Sequence, residues 1–263
     1  MLRVKKLIKK FFPGTPNELT AVDGLDLELD DGDFLTVIGS NGAGKTTFLN
    51  LIAGTIFPSN GRIFLDGQEV TDIPEHARAR LVGRVFQEPG RGTASGMTVA
   101  QNLVLALNKG HKGLRIGVNQ ERRKLFREEL GRLGLGLEDR LDEKVLHLSG
   151  GQRQALAVLM ATLTMPKILL LDEHTASLDP KNASKILEVT KKLVMEKELT
   201  TIMVTHDMNQ AIDLGNRLVM LHRGTMICDV NDGQKEELTV DKLIELFSEK
   251  DIVDDELLLT TRQ

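Results

Sequence analysis

Nine consecutive residues, Gly39-Ser40-Asn41-Gly42-Ala43-Gly44-Lys45-Thr46-Thr47, constrain this chain more than anything else in it. They fit the spacing G-x-x-x-x-G-K-S/T. Before them runs Phe34-Leu35-Thr36-Val37-Ile38, a stretch that suits a strand buried on both faces. After them Phe48, Leu49, Leu51 and Ile52 open a helix. The glycines let the chain turn successive backbone N–H groups toward phosphate oxygens. The helix N-terminus adds the positive end of its dipole. From this position Lys45 reaches the β and γ phosphates of a nucleoside triphosphate, and Thr46 can ligate Mg2+.

The 263 residues, 41% of them hydrophobic, suffice for one large or two modest domains. A 27% charged share excludes wholesale disorder. The net charge of −4 argues against a basic nucleic-acid stripe over the whole protein. The longest apolar run, Ala155 to Leu163, falls well short of the roughly 18 residues of a membrane span, so a soluble chain is expected. Its start, MLRVKKLIKKFFPG, is basic without an apolar stretch behind it and does not read as a secretory signal. The single cysteine, Cys228 in the strand-like run TMICDV, excludes an internal disulfide and reads as a small buried hydrophobe. Most of the 9 Met residues fall within apolar runs and read as core. With no Trp and no Tyr, any aromatic stacking falls to Phe or His.

The first 80 residues or so read as strands with tight turns. Leu25, Leu27 and Leu29 alternate with acidic residues, and Asn60-Gly61 with Asp66-Gly67 bracket a hairpin over Arg62 to Leu65. From about Pro89 to Ser149 the texture is helical: Thr98 and Gln101 form a capping box, and Asn119 caps a helix with Leu125, Phe126, Leu130 and Leu133 on one stripe. After Ser149, helices alternate with the buried strands Ile168–Leu171 and Thr201–Thr205, and Asp179-Pro180 opens a helix to about Lys197. A hairpin at Arg223-Gly224 and a last helix holding Leu243, Ile244, Leu246 and Phe247 follow. This order predicts an α/β fold: a parallel core sheet, an N-terminal antiparallel β subdomain and an inserted helical subdomain.

Two further stretches carry chemistry. Ile168-Leu169-Leu170-Leu171-Asp172-Glu173 is a strand ending in two carboxylates. Asp172 suits Mg2+ binding through water, and Glu173, one residue on, can polarise a water for in-line attack on a γ phosphate. Taken singly, a strand ending in a solvated acidic loop would look the same. In Leu148-Ser149-Gly150-Gly151-Gln152-Arg153-Gln154, Ser149 caps a helix whose first residues are glycines, a second anion-binding helix end.

With the LSGGQ run in place, the chain resembles the nucleotide-binding subunit of an ATP-binding cassette (ABC) transporter, from about Leu2 to Phe247. The resemblance implies a P-loop ATPase with ATP and Mg2+ as ligands. It implies an ABC ATPase domain over 1–250, with 1–88 and 160–250 forming the core plus β subdomain, 89–159 the helical signature subdomain and 251–263 a C-terminal tail. Gln87, in Val85-Phe86-Gln87-Glu88-Pro89, matches the Q-loop, which contacts Mg2+ or the attacking water. Ser177-Leu178-Asp179 matches the D-loop at a dimer interface, and His206 the switch histidine on the γ phosphate. The family stacks adenine on an aromatic early in the chain; Phe11 or Phe12 must serve, with Phe11 preferred, although either could equally be a core residue.

The family implies a head-to-tail homodimer in which the P-loop of one chain faces Ser149 and Gly151 of the other across ATP. It further implies a membrane permease, a solute-binding protein, and a peripheral place on the cytoplasmic face of the plasma membrane. No nucleic-acid partner is expected. The small size and the loop from Phe12 to Glu18 look similar to ATPases of amino-acid importers. The alternative is a soluble ABC ATPase acting in macromolecular assembly or on nucleic acid or ribosomes. One departure stands out: after Glu173 the family usually has proline, whereas this chain has His174. Either His174 tunes Glu173 or adds a phosphate contact, or it is a surface substitution in a turn, the reading favoured here.

Overall fold

The structure, a computed structural model, describes residues 1–107, 118–235 and 237–248, with backbone only at 232 and 246–248. Along the chain run β1 (Leu2–Phe11), β2 (Leu19–Leu29), β3 (Phe34–Ile38), α1 (Lys45–Ala53), β4 (Asn60–Leu65), β5 (Gln68–Glu69), α2 (Glu75–Arg78) and β6 (Val82–Val85). Next come α3 (Pro89–Gly92), α4 (Val99–Leu107), α5 (Gln120–Gly131), a 3-10 turn (Val145–His147) and α6 (Gly150–Thr162). Then β7 (Ile168–Asp172), α7 (Pro180–Glu196), β8 (Thr201–Val204), α8 (Met208–Asp213), β9 (Arg217–His222) and β10 (Thr225–Asn231) alternate, before α9 (Asp232–Lys235) and α10 (Val240–Ser248). The tail 251–263 lies outside the described residues. Internal contacts divide the chain into Met1–Arg78 with the described residues from Leu199, and Ala79–Glu198.

In the first unit, β2-β1-β4-β5 form an antiparallel sheet. Leu25, Leu27 and Leu29 turn inward as their alternation requires. Strand β1 is less regular. Leu2, Val4 and Leu7 are all buried, so the inward parity changes partway, at a register shift that contains Lys6 with φ 44. Asp26 Oδ1 accepts the Lys6 N–H at 2.9 Å, replacing the ladder bond lost there. The Asp66-Gly67 turn between β4 and β5 forms as expected, but Asn60-Gly61 does not turn: it begins β4, in register with Ile8 of β1.

The same unit holds β10-β9-β3-β8, with β3 parallel to both β8 and β9 and β10 antiparallel to β9. Every residue of β3 is buried. The Thr36 hydroxyl is accommodated by donating toward the Ala211 carbonyl at 2.9 Å and the Arg217 carbonyl at 3.2 Å. Ile38, Met208, Ala211, Leu218, Met220 and Leu243 form one cluster, with Cys228 partly buried against it. The methionines divide more evenly than the sequence suggests: Met203, Met208 and Met220 are buried, whereas Met97, Met165 and Met195 are exposed.

The second unit pairs β6 with β7 in parallel and packs helices α4, α5 and α7 on α6. Both side-chain-to-backbone bonds of the Thr98–Gln101 capping box are present, at 2.9 and 3.2 Å. Asn119 caps α5 by accepting the Arg122 N–H. Phe126, Leu130 and Leu133 are buried, but Leu125 is exposed, because a position one residue from Phe126 lies about 100° around the helix. Lys197, just beyond α7, meets Glu129 of α5 at 3.4 Å where both are nearly out of water.

Candidate nucleotide-binding site

The loop Gly39 to Gly44 leaves β3 between two close neighbours. A Cβ at Gly39 would lie 2.2 Å from the Leu221 carbonyl oxygen, and one at Gly44 2.2 Å from that of Ala21. No side chain fits at either place, and Gly44 as N-cap of α1 has φ 100. The β9–β10 turn braces the loop: Gly224 N–H donates to the Ala43 carbonyl at 3.0 Å, and its own carbonyl accepts from Asp23 N–H at 2.8 Å. Ser40 and Ala43 are buried, Asn41 and Gly42 exposed. Lys45 is buried, its ammonium donating to the carbonyls of Gly39 at 2.7 Å and Ser40 at 3.0 Å. The cation is thus held across the mouth of the loop. Thr46 is exposed and Thr47 half-buried in the first turn of α1, whose N-terminus carries no side-chain cap. An uncapped helix start with a lysine folded over it suits a phosphate group.

His206 follows β8, which pairs in parallel with β3, Val37 opposite Val204. It is exposed, at the same carboxyl edge of the strands from which the glycine loop springs. That edge is where ligands bind in open α/β sheets. Asp207, next to it, caps α8 by accepting from the N–H groups of Asn209 and Gln210.

The second unit repeats the arrangement. Val85 of β6 lies opposite Leu171 of β7, so Gln87 and the Asp172-Glu173 pair leave the carboxyl ends of neighbouring strands. Gln87 is exposed, and its carbonyl accepts from the Ser177 hydroxyl at 3.1 Å. Asp172 is paired with Arg84 of β6 at 3.2 Å. Sequence reasoning missed this pair; an arginine within an otherwise apolar run, Val82 to Phe86, was the available signal. Glu173 takes φ 44, a left-handed backbone for a non-glycine residue, and its carbonyl accepts from Ala176 N–H at 3.0 Å.

His174 is not the surface substitution favoured from the sequence. Its ring is 1% exposed and bonded to Thr190 Oγ1 of α7 at 3.1 Å. Burial pushes its pKa from 6.5 down to about 4, so the ring is neutral near pH 7.

Ser149 caps α6 in a complete capping box with Gln152. The Gln152 carbonyl oxygen accepts from Ser149 N–H at 3.1 Å and Arg140 at 2.8 Å, while its amide donates to the Leu135 carbonyl at 3.1 Å. Gln152 therefore fixes the start of the helix with its side chain tied into its own unit. A Cβ at Gly150 would sit 3.4 Å from Leu178, and one at Gly151 3.3 Å from the Asn182 side chain. The starts of α6 and α7 are thus packed together. Asp179 caps α7, and bonds from the Asn182 side chain and backbone hold its carboxyl below the usual range.

Phe11 is half-buried, with the Lys9 ammonium over its ring at 5.2 Å. Phe12 is 66% exposed, so neither residue is a core phenylalanine.

Three comparisons bear on these geometries. The ABC transporter family matches residues 22–176. A tyrosine transport ATP-binding protein of Clostridioides difficile (strain R20291) is 47% identical over 254 residues, 94% of this chain and 98% of that one. A bicarbonate transport ATP-binding protein of Synechococcus elongatus is 37% identical over 218 residues, 82% of this chain but 31% of that longer protein. Among solved structures, a dimeric post-hydrolysis state of an ATP-binding cassette bound to ADP and Pi matches with a TM-score of 0.75 at 30% identity, covering 88% of this chain and 98% of that one. The chain therefore belongs to the ABC transporter family, as an ATP-binding and ATP-hydrolysing cassette.

Proposed function

We propose that this chain is the ATPase subunit of an importer for an amino acid, tyrosine being the first candidate. The observation carrying this reading is the identity of 47% with a tyrosine transport subunit over nearly all of both chains. In this reading two copies close around two ATP and drive separate permease subunits supplied by a solute-binding protein. The chain then works as a peripheral protein at the cytoplasmic face of the plasma membrane, and no helix among the described residues is long and apolar enough to span one. Domain limits of 1–88 with 160–250, and 89–159, remain part of the proposal.

The loop Gly39 to Thr47 binds the phosphates through its backbone N–H groups, Lys45 adds its charge, and Phe11 stacks on adenine. Ser149, Gly150 and Gly151 of the second copy complete the site, with Asp179 at the interface. The oxygen donors Thr46, Asp172 and Gln87 fit Mg2+, which takes few protein oxygens beside those of phosphate and water. Thr46 and Gln87 present theirs on the surface, and no cluster of three or more His, Cys, Asp or Glu suited to a metal exists among the described residues. When bound, the ion neutralises developing charge on the phosphates. Glu173 accepts the proton of the attacking water, and His206 steadies the γ phosphate.

Purification with a candidate amino-acid permease, reconstituted in vesicles with a solute-binding protein, tests this reading. Tyrosine-loaded binding protein should raise ATP hydrolysis, and labelled tyrosine should enter. Hydrolysis that no amino acid stimulates would overturn the substrate. Failure to purify with any integral membrane protein would favour the soluble alternative.

A further inference from the structure

Arg84 and Asp172 form an ion pair that is largely out of water: Nη2 to Oδ2 is 3.2 Å, with side chains 10% and 13% exposed. The guanidinium also lies over the Phe86 ring, 4.6 Å from its centre. The chain leaving β6 just beyond Arg84 is fixed from two sides. Gln154 of α6 donates to the Phe86 carbonyl at 3.1 Å, and Ser177 to that of Gln87 at 3.1 Å. A carboxylate this desolvated is costly without a partner, and Arg84 offsets that cost. The same positive charge repels a cation approaching Asp172.

We propose that Arg84 is a positioning residue, the built-in counter-ion of Asp172, whose charge weakens the hold on the nucleotide-bound divalent cation. This rests on Asp172 being the carboxylate that faces the metal. The ion pair keeps Asp172 ordered at the end of β7, and its charge makes release of the cation easier. Arg84 touches neither nucleotide nor water in this account.

The test reads metal binding rather than turnover. Mn2+ is titrated into the protein with a non-hydrolysable ATP analogue, and free Mn2+ is followed by electron paramagnetic resonance. Arg84→Gln, which drops the charge but keeps a donor for Asp172, should tighten Mn2+ binding at least about threefold. Arg84→Lys should stay near wild type. Asp172→Asn should weaken binding, and adding Arg84→Gln to it should change the affinity less than Arg84→Gln does alone. Unchanged or weaker Mn2+ binding in Arg84→Gln, with Asp172→Asn weakened, overturns the counter-ion. Unchanged binding in Asp172→Asn overturns instead the assignment of Asp172 to the metal. If Arg84→Gln does not fold, the double variant decides: its folding supports the counter-ion, because the charge that Arg84 offsets is then removed as well, and its failure to fold overturns it, Arg84 being needed for packing.

Discussion

A hydroxyl has one proton to give, and Thr190 donates its own to the Ile186 carbonyl at 2.8 Å, so in its 3.1 Å contact with His174 the ring must be the donor. Nε2 therefore carries the proton of a neutral ring. Thr190→Val leaves that buried N–H without an acceptor and should cost about 1–3 kcal/mol in urea unfolding, whereas Thr190→Ser should restore most of it. Equal stability of the Val and Ser variants would mean the bond contributes nothing. Next to His174, Glu173 is the proposed base. Glu173→Gln keeps shape and hydrogen-bonding capacity but removes the proton acceptor, so ATP hydrolysis should fall at least ~100-fold while nucleotide binding persists. Normal turnover in that variant would move the base elsewhere. The identity of these residues was legible from their spacing, but the surroundings of His174 and Asp172 were not. A histidine in a loop reads as exposed unless one knows that residue 190, sixteen positions on, turns a hydroxyl toward it. Nor does a linear pattern show that Arg84 and Asp172, on different strands, end side by side.

At the scale of elements, α1 is held at its far end by a residue of another helix. Arg78 of α2 is fully buried and donates to the carbonyls of Leu51 and Ile52 at 2.8 Å each, of Ile73 at 2.6 Å and of Thr71 at 2.9 Å. The last carbonyls of a helix have no partner within it, and here a guanidinium supplies one. Burial pulls its pKa down to about 10, which leaves it charged at neutral pH. Arg78→Met should therefore destabilise the fold by about 3 kcal/mol or more, since several buried carbonyls lose their donor at once. Thermal or urea unfolding reads this directly, and a loss below about 1 kcal/mol would mean water takes over the carbonyls. Helix starts were the most legible elements, because Thr98 with Gln101, Ser149 with Gln152, and Asp179 all bond to the backbone as their side-chain chemistry dictates. Strand β1 was least legible, because the change of parity near Lys6 hides the alternation that identifies a half-buried strand. Strand β6 escaped for a related reason: four residues, one of them an arginine, give too little pattern.

At the scale of the whole molecule, the proposed dimer builds each ATP site from the start of α1 in one copy and the start of α6 in the other. That arrangement has a genetic consequence. Lys45→Ala removes the ammonium of the glycine loop, and Ser149→Arg breaks the capping box and puts bulk at the start of α6. Each variant alone should be inactive, because every site in its homodimer has one damaged half. In a mixed dimer the intact loop of the Ser149→Arg chain faces the intact Ser149 of the Lys45→Ala chain. One site is then whole, and the other carries both lesions. An equal mixture with free exchange makes half of the dimers mixed, each with one of two sites intact. If that site turns over independently, the mixture should recover roughly a quarter of wild-type ATP hydrolysis, as a symmetric two-site dimer requires. Two different affinity tags, captured in sequence, show that mixed dimers exist and let them be assayed alone. Activity in the mixed fraction, with none in either parent, requires composite sites, since neither chain holds a complete set of its own. A mixed fraction that forms and stays inactive would place each site within one chain, or make the second site necessary for the first. In an active mixed fraction, adding Glu173→Gln to one chain at a time shows which chain supplies the base. Placed on the Ser149→Arg chain it should silence the composite site if, as the proposed cycle requires, the chain that supplies the glycine loop also supplies the base. Placed on the Lys45→Ala chain it should leave the recovered activity in place.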